Sequence, residues 1–159
     1  MRVIVGVSDM KISNDPEAVL VTYSLGSCIG VAIYDAAAKV GGLLHYLLPE
    51  SKLSPEKAIK NPYMFADTGI PALFKAAYAL GAKKQRMKVV VVGGSQIMDQ
   101  AGFFNIGKRN DIAVRKMFHK NNVLIDYRDV GGVVNRTIKL EVKNGDTWIK
   151  VSGQGVKKI

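Results

Sequence analysis

Sulfur, imidazole and negative charge are all scarce in this chain. Its 159 residues hold one cysteine and two histidines, and 13 acidic residues stand against 23 lysines and arginines. A single cysteine excludes an internal disulfide. With no CxxC or HExxH spacing the usual zinc frameworks are excluded too, and no acidic cluster suggests a carboxylate site, so no metal or cofactor is expected. No apolar run approaches the length of a membrane span, and membrane insertion is not expected. A secretory leader is not expected either, because Met1 to Leu20 carries Asp9, Asp15 and Glu17 where a leader must be apolar. Neither GxGxxG nor GxxxxGK(S/T) occurs, so Gly93-Gly94-Ser95 reads as a tight turn or close backbone packing rather than a phosphate loop. The expected address is the cytoplasm, where a free thiol stays reduced.

What is present suits one compact domain spanning residues 1–159, with 48% hydrophobic and 23% charged residues. The net charge of +10 favours an acidic partner, yet no nucleic-acid module or basic stripe with interleaved aromatics is found, and no nucleic-acid partner is expected. Strands are predicted at Met1 to Val7, Ala18 to Tyr23, Val89 to Val92 and Val123 to Tyr127. The spacing of Ile70, Leu73, Phe74, Ala77 and Leu80 predicts a helix over Ala66 to Leu80, stopped by Gly81, with Pro71 in its first turn or at a bend. A second helix is predicted from Ile106 to His119 through Ile112, Ala113, Met117 and Phe118, with His119 complementing the helix dipole. Ser51 to Pro62 reads as a polar surface loop. Asn144-Gly145 marks a closing hairpin in which Leu140 should pair with Ile149 and Ile138 with Val151. Strands outnumber helices, which predicts an α/β or α+β sandwich with a mixed, largely antiparallel sheet.

One placement carries the sharpest chemical expectation. Cys28 lies in the run Leu25-Gly26-Ser27-Cys28-Ile29-Gly30, and His45 follows across a hairpin made by Cys28 to Asp35 and Val40 to Leu48. Pairing Ile29 with Leu44, Val31 with Gly42 and Ile33 with Val40 gathers the aliphatics on one face and sets Cys28 directly opposite His45. Gly30, Ala32, Gly41 and Leu43 share that second face, where small side chains should leave room for a substrate group. A lone cysteine in an apolar run is ordinarily inert core. Opposed to a histidine and beside glycines, it points instead to a thiol nucleophile with its own base.

The residues also resemble a family. Leu25-Gly26-Ser27-Cys28, Gly41-Gly42-Leu43-Leu44-His45 running into Leu47-Leu48-Pro49, Val92-Gly93-Gly94-Ser95, Ile106-Gly107-Lys108-Arg109-Asn110 with Ala113-Val114, and Asp129-Val130-Gly131-Gly132 are similar to the core motifs of the chemoreceptor glutamine deamidase CheD family, in that family's order. The resemblance implies a three-layer α/β sandwich related in its active site to deamidating toxins of the cytotoxic necrotizing factor type. It implies hydrolysis of selected glutamine side-chain amides on the cytoplasmic helices of chemotaxis receptors. Carried over by position, the nucleophile falls on Cys28, the base on His45 and the histidine-orienting residue on Thr22, with Ser27 beside the nucleophile at the expected oxyanion donors. An imidazolium at His45 would then stabilise a thiolate at Cys28. A CheC-type phosphatase is the implied protein partner.

Other readings stay open on the residues alone. A cysteine protease or transglutaminase-like acyltransferase shares the first half-reaction, although papain-type sites place the histidine far downstream and only 17 positions separate Cys28 from His45. The other alternative is a non-catalytic adaptor that binds a CheC-type phosphatase while Cys28 is merely buried. Phe103-Phe104 reads equally as a partner docking point and as core.

Overall fold

A computed structural model of the chain describes residues 1–96 and 105–159. Its strands are β1 (Arg2–Ile4), β2 (Asp9–Ser13), β3 (Val19–Leu25), β4 (Ile29–Asp35), β5 (Val40–Tyr46), β6 (Met87–Gly93), β7 (Tyr127–Val130), β8 (Arg136–Glu141), β9 (Thr147–Val151) and β10 (Gly155–Lys158). Its α-helices are α1 (Pro55–Lys60), α2 (Ala66–Ala79) and α3 (Ile106–Lys120). The fold is α+β, and where one sheet was expected there are two: β1-β3-β8-β9-β10, the outer sheet, and β2-β5-β4-β6-β7, the middle sheet. Each sheet is mixed, with β1–β3 and β6–β7 parallel and the other pairs antiparallel.

The middle sheet is covered on both faces, which is why every residue of β4 and β5 is buried. Ile29, Val31, Ile33 and Leu44 pack under α2 and α3, while Ala32, Tyr34 and Leu43 pack against Leu20, Ile138 and Leu140 of the outer sheet. The face assignment expected for the hairpin is the one observed. Its register differs by two residues: Gly30 pairs with His45, Val31 with Leu44 and Asp35 with Val40. The cause is Asp35, whose buried carboxylate accepts from Ala37 and Ala38 N–H and so pulls the turn one step tighter, with Lys39 at φ 54°. The room expected over Gly30 and Gly41 is filled, because Leu25 lies 2.9 Å from where a Gly30 Cβ would stand, and Leu140 and Val142 crowd Gly41.

The C-terminal hairpin is offset in the same way. Ile138 pairs with Ile149 and Leu140 with Thr147, since Val142 turns into the core and lends its carbonyl to the Tyr34 hydroxyl instead of prolonging β8. Helix α2 runs through Pro71, beyond its first turn, and Gly81 stops the segment at φ 97°. The stretch expected as a loop from Ser51 carries α1 and a short 3-10 turn. Strand β7 starts later than expected because Asp126 is spent on the Val89 N–H.

The Gly-Gly step after β6 controls how closely that strand approaches the cysteine. Gly93 has φ 118°, and a Cβ there would stand 2.2 Å from Cys28 O. Gly93→Ala is expected to lower stability by about 1–3 kcal/mol from the backbone conformation alone, with further loss from the clash. Urea unfolding measures it, and an unchanged midpoint would contradict the close approach.

Candidate active site

Cys28 ends a three-residue bend between β3 and β4 whose carbonyls are all turned into the protein. Gly26 O accepts from Ser95 N (2.9 Å), Cys28 O from Gly94 N (2.9 Å), and Ser27 O from Asn110 Nδ2 (2.9 Å). Among the described residues no backbone acceptor takes the N–H of Ser27 or of Cys28, and the N–H of Cys28 is directed at its own thiol. The segment behind the bend is itself braced. Arg136, almost fully buried, donates to Gly93 O and Ser95 Oγ at 3.0 Å each and pairs with Asp129.

His45 lies on β5 with its ring toward the outer sheet, where Thr22 of β3 meets it. Thr22 Oγ1 is 2.8 Å from His45 Nδ1 and 2.7 Å from Val5 O. A hydroxyl has one proton, and a carbonyl can only accept. Thr22 therefore donates to Val5 O and accepts from His45 Nδ1–H. That assignment leaves Nε2 unprotonated, as a lone-pair acceptor. Nε2 is buried without a hydrogen-bond partner among the described residues, and His45 is 1% exposed.

Cys28 and His45 belong to the same side of the middle sheet, since the cysteine packs into the layer between the sheets and the histidine reaches across it. The expected direct opposition gives way to a diagonal one, because His45 is paired with Gly30. Diagonal neighbours keep Cβ atoms roughly 7–8 Å apart or somewhat less, within reach of longer side chains. No hydrogen bond joins the thiol to Nε2; Cys28 is partly buried, and Nε2 is an acceptor without a partner among the described residues.

Burial also overturns the expected ion pair. Desolvation pushes the Cys28 thiol up to about 11 and His45 down to about 4, the latter opposed by the charge of Asp9, which sits directly across from His45 on β2. The resting pair is thus neutral thiol and neutral imidazole.

Asn110 is the participant that sequence reasoning passed over. It is fully buried on α3, and its Nδ2 bridges Ser27 O and Leu47 O, at 2.9 and 3.0 Å. A signal was present, because Ile106, Asn110, Val114 and Phe118 form a four-residue stripe in which one polar residue interrupts the apolar ones. The fully buried residues of α3 are Gly107, Asn110, Asp111, Val114 and Phe118; of the expected face Phe118 is among them, and Ala113 and Met117 are partly buried against the same core. Phe103 and Phe104 lie outside the described residues. Among the described residues no group of three or more histidine, cysteine or acidic side chains could hold a metal, and no helix is long and apolar enough to cross a membrane.

Comparison with known proteins gives a consistent picture. The model of the CheD family, described as CheD chemotactic sensory transduction, matches residues 47–151, a span that begins just after His45. A Syntrophus aciditrophicus protein named "Probable chemoreceptor glutamine deamidase CheD 1" is 55% identical over 157 residues, covering 99% of this chain and 98% of the relative. A Solibacter usitatus protein named "Probable chemoreceptor glutamine deamidase CheD" is 46% identical over 153 residues, covering 96% of this chain and 90% of the relative. A crystal structure of a Neisseria meningitidis protein of family-model DUF152 aligns with TM-score 0.44 and 10% identity over 81% of this chain and 58% of that one, too distant to carry an argument.

The buried neutral histidine should show in the pH dependence of folding. In the unfolded chain a histidine titrates near 6.5, against about 4 for folded His45. The unfolded state then binds more protons between those values, so stability falls as pH drops from about 6.5 toward 4 and is fully present above that window. His45→Gln is expected to flatten this limb in urea unfolding at successive pH values, and an unchanged slope would contradict the buried neutral ring. Thr22→Val, which keeps shape but strands Val5 O and Nδ1–H, is expected to cost about 1–3 kcal/mol per stranded group in the same assay.

Proposed function

The chain belongs to the CheD family, and on that premise we propose that it is a protein-glutamine deamidase that converts glutamine side chains of chemotaxis receptors to glutamate through a thioester on Cys28. The observation that carries this reading is the single proton of Thr22: given to Val5 O, it leaves His45 Nε2 as a free base on the same side of the sheet as the partly buried Cys28. An adaptor has no use for an unpartnered buried acceptor beside its one cysteine, since such a group costs stability.

The reaction follows from the groups in place. As the thiol closes on the glutamine carboxamide, His45 Nε2 takes its proton, so the thiolate forms only as the sulfur–carbon bond forms. The carbonyl oxygen becomes an oxyanion, and the N–H groups of Ser27 and Cys28, taken by no backbone carbonyl among the described residues, are the donors for it. When the carbon–nitrogen bond breaks, the imidazolium returns its proton to the leaving nitrogen, and ammonia departs from a thioester. Water then gives a proton to His45 and attacks the thioester carbon. Glutamate leaves, and the proton returns to the sulfur. Thr22 keeps Nδ1 protonated throughout and so holds Nε2 in the basic role at each half-reaction.

This reading takes residues 1–159 as one deamidase domain working in the cytoplasm on receptor helices. A shared active-site plan with deamidating toxins of the cytotoxic necrotizing factor type, and a CheC-type phosphatase as regulatory partner, belong to the same proposal and rest on family membership.

Incubation with the cytoplasmic helices of candidate receptors, followed by peptide mass mapping, tests it. Each deamidated glutamine gains about one dalton and the chain stays intact, as replacement of an amide by an acid requires. Cys28→Ala is expected to abolish the gain, and His45→Ala to slow it by roughly 10²–10⁴-fold. Cleaved helices would indicate a protease, and full activity in Cys28→Ala would remove the cysteine from the mechanism.

A further inference from the structure

We infer that Asn110 is a positioning residue of this site, one that sets the direction in which the amide of the nucleophile points. The inference rests on the deamidase reading above. Asn110 is fully buried in the second turn of α3, and its carboxamide gives one hydrogen to Ser27 O and the other to Leu47 O. Ser27 precedes the nucleophile, and Leu47 follows the base by two residues. One planar NH2 group thereby ties the segment that carries the thiol to the segment that carries the imidazole. Its own backbone carbonyl is held in turn by the hydroxyl of Tyr46.

The consequence for chemistry comes from the geometry of a single peptide unit. Ser27 C=O and Cys28 N–H belong to the same trans peptide, so they point in opposite directions. Drawing Ser27 O toward α3 aims Cys28 N–H away from it, on the side of its own thiol, and no backbone carbonyl takes this N–H among the described residues. If the peptide turned over, a carbonyl oxygen would stand where the developing oxyanion needs a donor. Asn110 prevents that. No other side chain of similar size carries two hydrogens in one plane: aspartate has none to give when ionised, and serine has one.

A purely structural clamp and a positioning residue differ in what they leave intact. Iodoacetamide reacts with Cys28 by displacement at carbon and develops no oxyanion, so it reads the thiol and its surroundings without the oxyanion donors. Asn110→Ser and Asn110→Ala in the full chain are therefore compared with the natural sequence for deamidation of receptor helices, alkylation by iodoacetamide, and hydrogen exchange of peptides covering residues 25–28. The expected result for Asn110→Ser is a kcat lower by about 10²-fold, on the scale of a misplaced reacting group, with KM and alkylation changed by less than about threefold and faster exchange in residues 25–28.

A kcat within about threefold of the natural sequence would overturn the inference, as would alkylation falling in step with kcat. Failure of Asn110→Ser to fold would assign the residue a structural role only and overturn it equally. If the natural sequence deamidates no helix tried, the deamidase reading fails, and the exchange measurement still judges the clamp, with unchanged exchange in residues 25–28 counting against it.

Discussion

One hydroxyl proton organises the chemistry of this molecule. Thr22 Oγ1 stands between a carbonyl on one side and an imidazole on the other, and because it can donate only once, the tautomer of the neutral ring is decided by the backbone at Val5. The bond also crosses the sandwich, since Thr22 belongs to the outer sheet and His45 to the middle one. On the proposed mechanism, packing between the two sheets is therefore a condition of catalysis as well as of stability. A carboxylate in the same place would favour an imidazolium; a hydroxyl, neutral and buried, leaves the ring uncharged.

The rest of the site follows a single division of labour in the backbone. Carbonyls of the Gly26–Cys28 bend are turned inward and bound, by Ser95, Asn110 and Gly94 in chain order, while the N–H groups of its last two residues are taken by no backbone carbonyl among the described residues. The glycines after β6 allow this, since Gly93 and Gly94 both take positive φ and Gly93 lets β6 come within backbone distance of the cysteine. Arg136 braces the same segment from the outer sheet. Three elements distant in sequence thus fix one bend.

Much of this was legible in the letters because faces are easier to read than registers. Alternation alone separates Cys28 and His45 from Ile29, Val31 and Leu44, and a two-residue slip leaves that separation intact, so the shared side survived an incorrect pairing. The slip arose where side-chain to backbone bonds decide a turn, at Asp35 in one hairpin and where Val142 enters the core in the other. One edge strand of each sheet was not legible: residues 9–13 and the basic segment at Gly155–Lys158 have weak apolar alternation, and only pairing with β5 and β9 makes them strands. The charge state of the thiol was misjudged for a related reason: proximity of the two groups can be inferred from spacing, but depth of burial cannot, and burial is the dominant influence on both. Asn110 escaped because its significance lies in two carbonyls, which no side-chain pattern displays.

The neutral thiol bears on how readily the sulfur is oxidised. Peroxide attacks thiolate, and oxidation of cysteine to sulfenic and higher acids scales with the thiolate fraction. With desolvation holding Cys28 protonated until about 11, the resting sulfur offers oxidants almost no anion to react with. In the proposed reaction, reactivity is released only when a bound carboxamide lets the proton pass to His45 and the new bond form together. On the proposed mechanism, the same burial that slows adventitious attack makes the nucleophile conditional on its target.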